Sequence, residues 1–122
     1  MHNTRVVIVC DQDKAAVQEI QSALTKERHE VEVINDGTEL IAKAIKFNPS
    51  VVIVNPDIHG FNEYDVCKKL MKERNIAIIL LLDPHSVHRS RIDECEADDV
   101  VTKPVEMKNL LNLVVKNITV HQ

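Results

Sequence analysis

Two short polar clusters each follow an apolar run in this sequence, and their carboxylates are of a type that can bind a cation. Cys10-Asp11-Gln12-Asp13 ends the run Val6–Cys10, and Asn55-Pro56-Asp57 follows Val51–Val54. Carboxylates are hard oxygen donors of the kind a divalent cation takes. Cys10 reads either as a redox thiol or as a small buried filler, and the filler is the preferred reading. His85 and His88 are three residues apart, a spacing compatible with sharing a metal on a helix. No third ligand lies near them, so the pair reads as a surface feature and no metal site is expected there. Arg89 and Arg91, with Lys108 and Lys116 beyond them, read as a docking face or as ordinary solvated helix charge. The three cysteines, Cys10, Cys67 and Cys95, are odd in number and lack C-x-x-C spacing, so neither a disulfide framework nor a thiol zinc site is signalled. A reducing cytoplasm is the expected location.

Apolar runs of strand length alternate with stretches of helical period, five pairs in all, which is the pattern of a parallel sheet covered on both faces. Val6–Cys10, Val51–Val54 and residues 76–82 are continuous and rich in β-branched or aliphatic residues, as central strands buried on both sides require. Residues 29–34 alternate polar and apolar, and 100–102 is short, so both suit sheet edges. Helical stripes recur at Ala16, Val17, Ile20, Ala23 and Leu24, then at Leu40, Ile41, Ala44 and Ile45, then at Val66, Cys67, Leu70 and Met71. A fourth helix is expected after Pro84, though its apolar positions are interrupted by charge. A fifth is expected over 106–120, entered just after Pro104.

At 122 residues, 44% apolar and 28% charged, the chain suits one domain, 1–122, with a continuous core. Its net charge of −4 has the wrong sign for a domain that lives on phosphate backbones, so no nucleic-acid partner is expected. The amino-terminal apolar run is too short to span a membrane or act as a secretory signal, and no membrane partner is expected either.

In an open parallel sheet, ligands bind beyond the carboxyl ends of the strands where strand order reverses. For the order 2-1-3-4-5 that point lies between strands one and three, where both polar clusters fall. Here the sequence resembles the receiver domain of two-component response regulators, from Val6 to about Val115. The resemblance rests on Thr102-Lys103-Pro104 closing strand five, the lead from Asn48-Pro49-Ser50 into strand three, the Gly60-Phe61-Asn62 turn, and Ala97-Asp98-Asp99. It implies a doubly wound, flavodoxin-like α/β fold with five strands and five helices. It also implies two acidic residues after strand one, an aspartate acceptor after strand three, a Ser or Thr after strand four, an aromatic on strand five, and a Lys-Pro pair.

Carried onto this chain, the resemblance puts Asn55 at the acceptor position, Cys10 and Asp11 at the two acidic positions, and Leu82 and Val100 at the two switch positions. Asp11 and Lys103 are retained, and an ion pair between them at the sheet mouth is the preferred reading. A carboxamide cannot form an acyl phosphate. Pro56 lacks the N–H that the family offers to phosphoryl oxygens, and it blocks the succinimide route from Asn55 to Asp. With Asp57 as the one further carboxylate of the vestigial acidic pocket, useful Mg²⁺ binding is not expected, and no cofactor is. The expectation is a phosphorylation-independent receiver and not an enzyme. It would act in phosphorelay signalling through protein partners, with the fourth helix, strand five and the fifth helix as contact face and as a route to homodimers. The alternative is a phosphoryl-accepting receiver that uses a displaced carboxylate such as Asp57 with a histidine kinase. A small-ligand sensor has less support, since no glycine-rich loop follows strand one. Receivers with this Lys-Pro pair often carry a cis bond there, by resemblance.

Overall fold

Three uninterrupted apolar runs form the middle of the sheet because only a strand covered on both faces can bury every residue. The computed structural model describes residues 6–62, 65–86 and 96–120. In it Val6–Cys10 (β1), Val51–Val54 (β3) and Ala77–Leu82 (β4) are buried along their whole length. Glu30–Ile34 (β2) and Asp99–Thr102 (β5) are the half-exposed edges. All pairings are parallel and the order is β2-β1-β3-β4-β5.

Strand alternation sorts the core into two layers. Ile8, Cys10, Val52, Val54, Ile78 and Leu82 face one side, where Leu40–Phe47 (α2) and Val66–Lys72 (α3) cover them. Val7, Val9, Val51, Ile53, Ile79 and Leu81 face the other, under Lys14–Lys26 (α1) and Met107–Val120 (α4). The helix α4 is the fifth helix of the sequence reading. The expected fourth helix lies outside the described residues, as do His88, Arg89, Arg91 and Cys95.

Local chemistry sets the helix ends. The Asp13 carboxylate accepts from Ala16 N at 3.2 Å and opens α1. Glu106 Oε1 accepts from Asn109 N at 2.6 Å and opens α4, so the helix begins one residue later than its apolar pattern suggests. In α3 the Glu73 N–H donates to the Lys68 carbonyl, an i→i+5 bond that makes this a π-helix. One stripe residue departs from expectation: Ile45 is 49% exposed, because α2 is only two turns long and Leu40 and Ala44 already fill its contact with the sheet.

The loop after β2 is clasped to the loop after β3. Gly37 N donates to His59 O at 2.7 Å, and a Cβ at Gly37 would stand 2.6 Å from that oxygen. Gly60, at φ +82°, meets Thr38 from the other side, so both positions need glycine.

Candidate functional site

Because the strands are parallel, their carboxyl ends share one edge, and four of them deliver a polar residue there. Asp11 follows β1, Asn55 follows β3, Asp83 follows β4 and Lys103 follows β5. The ladder runs one step past three of these ends. Asp11 N donates to Ile34 O at 3.1 Å, Asn55 N to Cys10 O at 2.9 Å, and Lys103 N to Leu82 O at 2.8 Å. Their backbones are therefore held as firmly as the sheet itself. The Lys103–Pro104 peptide bond is cis.

Lys103 is the hub. Its Nζ lies 2.9 Å from Asp11 Oδ2, 2.9 Å from Asp83 Oδ1 and 3.2 Å from Asp13 Oδ2. The Lys103 side chain is 12% exposed and the Asp11 side chain 1% exposed, while those of Asp13 and Asp83 are partly open to solvent. Burial works against the charge on Lys103, but its bonds to Asp11, Asp83 and Asp13 outweigh it and hold the ammonium pKa above the ordinary lysine value. Asp83 is held below the usual carboxylate range by Asn55 first and Lys103 second. Asp13 is lowered by the Ala16 N–H and by Lys103.

Asn55 completes the closure. Its Nδ2 donates to Asp83 Oδ2 at 3.0 Å and to Asp11 Oδ1 at 3.3 Å, and its Oδ1 accepts from Asp57 N at 2.9 Å. Both amide hydrogens thus point at carboxylates, as a carboxamide allows and a carboxylate does not. Pro56, which has no N–H, stands between Asn55 and the nearest backbone donor. The mouth is a cavity of about 320 Å³, also lined by Gln12, Asp57 and Ile58.

Of the residues singled out from sequence, Asp11, Asn55 and Lys103 meet directly, and Asp57 lines the rim with an exposed side chain. β3 ends at Val54, in register with Cys10 and Leu80, so Asp57 lies two residues beyond Asn55 in the loop and not at the strand tip. Cys10, grouped with the pocket on sequence, packs instead in the α2–α3 core layer beside the cavity. Burial, and then Asp11, push its thiol up to about 12. Leu82 is fully buried in the same layer, and Val100 lies exposed on the edge strand, so neither lines the mouth. Asp83 was missed, as was the double role of Asp13 as helix cap and lysine partner. The available signal was position alone: Asp83 is the first residue past a central strand.

Among the described residues no group of histidines, cysteines and carboxylates is arranged as a metal site, and no helix is long and apolar enough to cross a membrane.

The fold has many solved counterparts. A CheY-like response regulator receiver domain protein from Methanospirillum hungatei matches at 20% identity over 98% of this chain and 97% of that one, with a TM-score of 0.83. The receiver domain of Francisella response regulator 1452 matches at 22% identity over 97% and 99%, with a TM-score of 0.82. The chemotaxis response regulator CheY4 of Vibrio cholerae matches at 20% identity over 94% and 99%, with a TM-score of 0.78. At these identities the likeness speaks for the fold. Kinship comes from the sequence itself, since residues 7–115 match the family model of the response regulator receiver domain. With that match running from β1 into α4 and the polar residues gathered at the carboxyl edge of a 2-1-3-4-5 sheet, the chain belongs to the response regulator receiver domain family of two-component signalling.

Proposed function

We propose that this receiver domain works without accepting a phosphoryl group, and that it signals by binding protein partners and not by catalysis. The observation that carries the reading is Asn55, which follows β3 directly and spends both amide hydrogens on Asp11 and Asp83. A phosphoryl acceptor must be an anionic oxygen, and the amide offers none. The bonds of Asp83 to Asn55 and Lys103 tie the ends of β3, β4 and β5 together, so the polar groups of the mouth already partner one another.

The donor set also supports a mouth without Mg²⁺, the ion the family implies. Mg²⁺ needs a near-octahedral shell of oxygens at about 2.0–2.1 Å. Here the oxygens of Asp11, Asp13 and Asp83 converge on an ammonium 2.9–3.2 Å away, and a divalent ion among them would stand against that positive charge. The surface around β5 and α4, where Val100 is exposed, is the partner face this reading favours, for another protein or for a second copy. A cytoplasmic location suits such a module.

The test is incubation with acetyl phosphate and Mg²⁺, followed by intact-mass and peptide-level analysis. No added phosphoryl mass is the expected result. A hydroxylamine-labile phosphoryl group on any aspartate overturns the reading, and its appearance on Asp57 would establish the displaced-acceptor alternative.

A further inference from the structure

Charge is spread unevenly over the helices. From Asp65 through Arg74, α3 and its flanking residues, together with α2, carry Lys43, Lys46, Lys68, Lys69, Lys72 and Arg74 against Asp65 and Glu73, in a chain whose net charge is −4. Both helices lie on the same face of the sheet, with Leu40, Ala44, Val66 and Leu70 in one core layer. Ile41 and Val66 line a cavity of about 230 Å³, which turns the Ile41 side of α2 toward α3. Ile45, four residues further on, falls on that same side and is 49% exposed. Next to it, Lys46 Nζ lies over the half-buried Phe47 ring, 5.3 Å from its centre.

We propose that the α2–α3 face docks an acidic segment of a partner protein, with Ile45 as the apolar contact and Lys46, Lys69 and Lys72 as the cations around it. The excess acid of the chain lies elsewhere, with Asp11, Asp13, Asp57 and Asp83 gathered at the strand ends. An extended polyanion, such as a nucleic acid or a charged bilayer, meets that repulsion just beyond the patch. A short acidic segment does not, because charges further than a screening length of about 8 Å away at physiological ionic strength are largely masked. One isoleucine beside a half-buried phenylalanine is too little apolar surface to enter a bilayer. With no tryptophan and 2% aromatic residues, the chain offers no stacking platform for single-stranded bases. An apolar anchor inside a charged rim is the anatomy of a protein contact. This face is separate from β5 and α4, and its use does not depend on whether the mouth accepts phosphate.

The test uses a short fluorescein-labelled peptide of glutamates and aspartates around a single leucine, titrated by anisotropy against the whole chain, with amide shifts mapped by NMR. A DNA duplex and phosphatidylserine-containing vesicles serve as rival probes. The peptide is expected to bind, with shifts confined to α2 and α3 and affinity falling as salt is raised. The triple variant K46E/K69E/K72E should weaken binding by about tenfold, as the loss of three surface ion pairs implies. I45S should weaken it by a few-fold, while both variants keep the parent melting temperature. The proposal is overturned by absence of binding, by unchanged affinity in the triple variant, by shifts on β5 and α4, or by tighter binding to duplex or vesicles. It is also overturned if sedimentation shows self-association of the parent that the triple variant abolishes, since the occupant is then a second copy.

Discussion

A carboxylate, an ammonium and a primary amide meet at both ends of β5, with unlike consequences. At its start, Asp99 accepts from Asn117 Nδ2 at 2.8 Å and pairs with Lys116 Nζ at 3.0 Å. Lys116 is 54% exposed while Asn117 is buried, and the trio is a charge-balanced strap from α4 to the sheet whose cation alone lies open to solvent. Past its other end, Lys103 serves three carboxylates and is largely buried. The first lysine can leave and water will take its place; the second cannot leave without stranding Asp11. Stabilisation by an ion pair is set here less by distance, which is similar at the two ends, than by what each charge would face alone.

The sharpest way to break that contrast is to remove each lysine in turn. Lys103→Met should cost about 3–5 kcal/mol in urea unfolding, because a buried carboxylate loses its cation. Lys116→Met should cost less than about 1 kcal/mol. Equal losses would mean that burial does not separate the two trios.

Exchanging amides for acids probes the same contrast from the anion side. Asn55→Asp adds a carboxylate where Asp11, Asp13 and Asp83 already crowd one lysine, so the variant should be destabilised alone and recover on adding Mg²⁺. At a concentration one hundred times Kd the recovery should reach about 2.7 kcal/mol. The parent, and Asn117→Asp at the other end, should show no such response in thermal melts.

The smallest effect is in pH. Asp83 sits below its ordinary 3.8 in the folded chain, so its contribution is present above 3.8 and is lost as pH falls through the folded value. Its side chain is about half open to water, so that loss should stay under about 1 kcal/mol. Lys103 is raised above 10.5, so its share is intact below 10.5 and disappears only as pH climbs through the higher folded value. Urea midpoints compared at about pH 3 and about pH 6 should therefore differ less in Asp83→Asn than in the parent.

Much of the architecture was legible because burial on two faces leaves a mark that one residue type after another repeats. Val6–Cys10 and Val51–Val54 read as central strands and are central strands. The start of β4 shifted by one residue, since Ile76 is buried but sits before the first paired position. The π-bonding of α3 left no trace, because Val66 and Leu70, four apart, fit an α-helix equally well. At the mouth, strand ends pointed to Asp11 and Asn55. Asp83 did not stand out, since an aspartate before a proline reads as an ordinary turn. Its partners, Asn55 and Lys103, lie 28 residues earlier and just past the end of β5, and only the folded sheet brings them to it. Asn117 was hidden for a similar reason: a polar residue within an apolar stripe acquires meaning only once Asp99 is placed opposite it.

The clasp between Gly37 and His59 has a mechanical corollary. The segment carrying Asn55, Pro56 and Asp57 shares a hydrogen bond with the turn that leads directly into α2, and neither glycine leaves room for slack. The two loops therefore behave as a yoke. Any side chain in place of either glycine would press against the opposite loop, so the spacing between the strand-end loop and the entry to α2 is set by backbone meeting backbone.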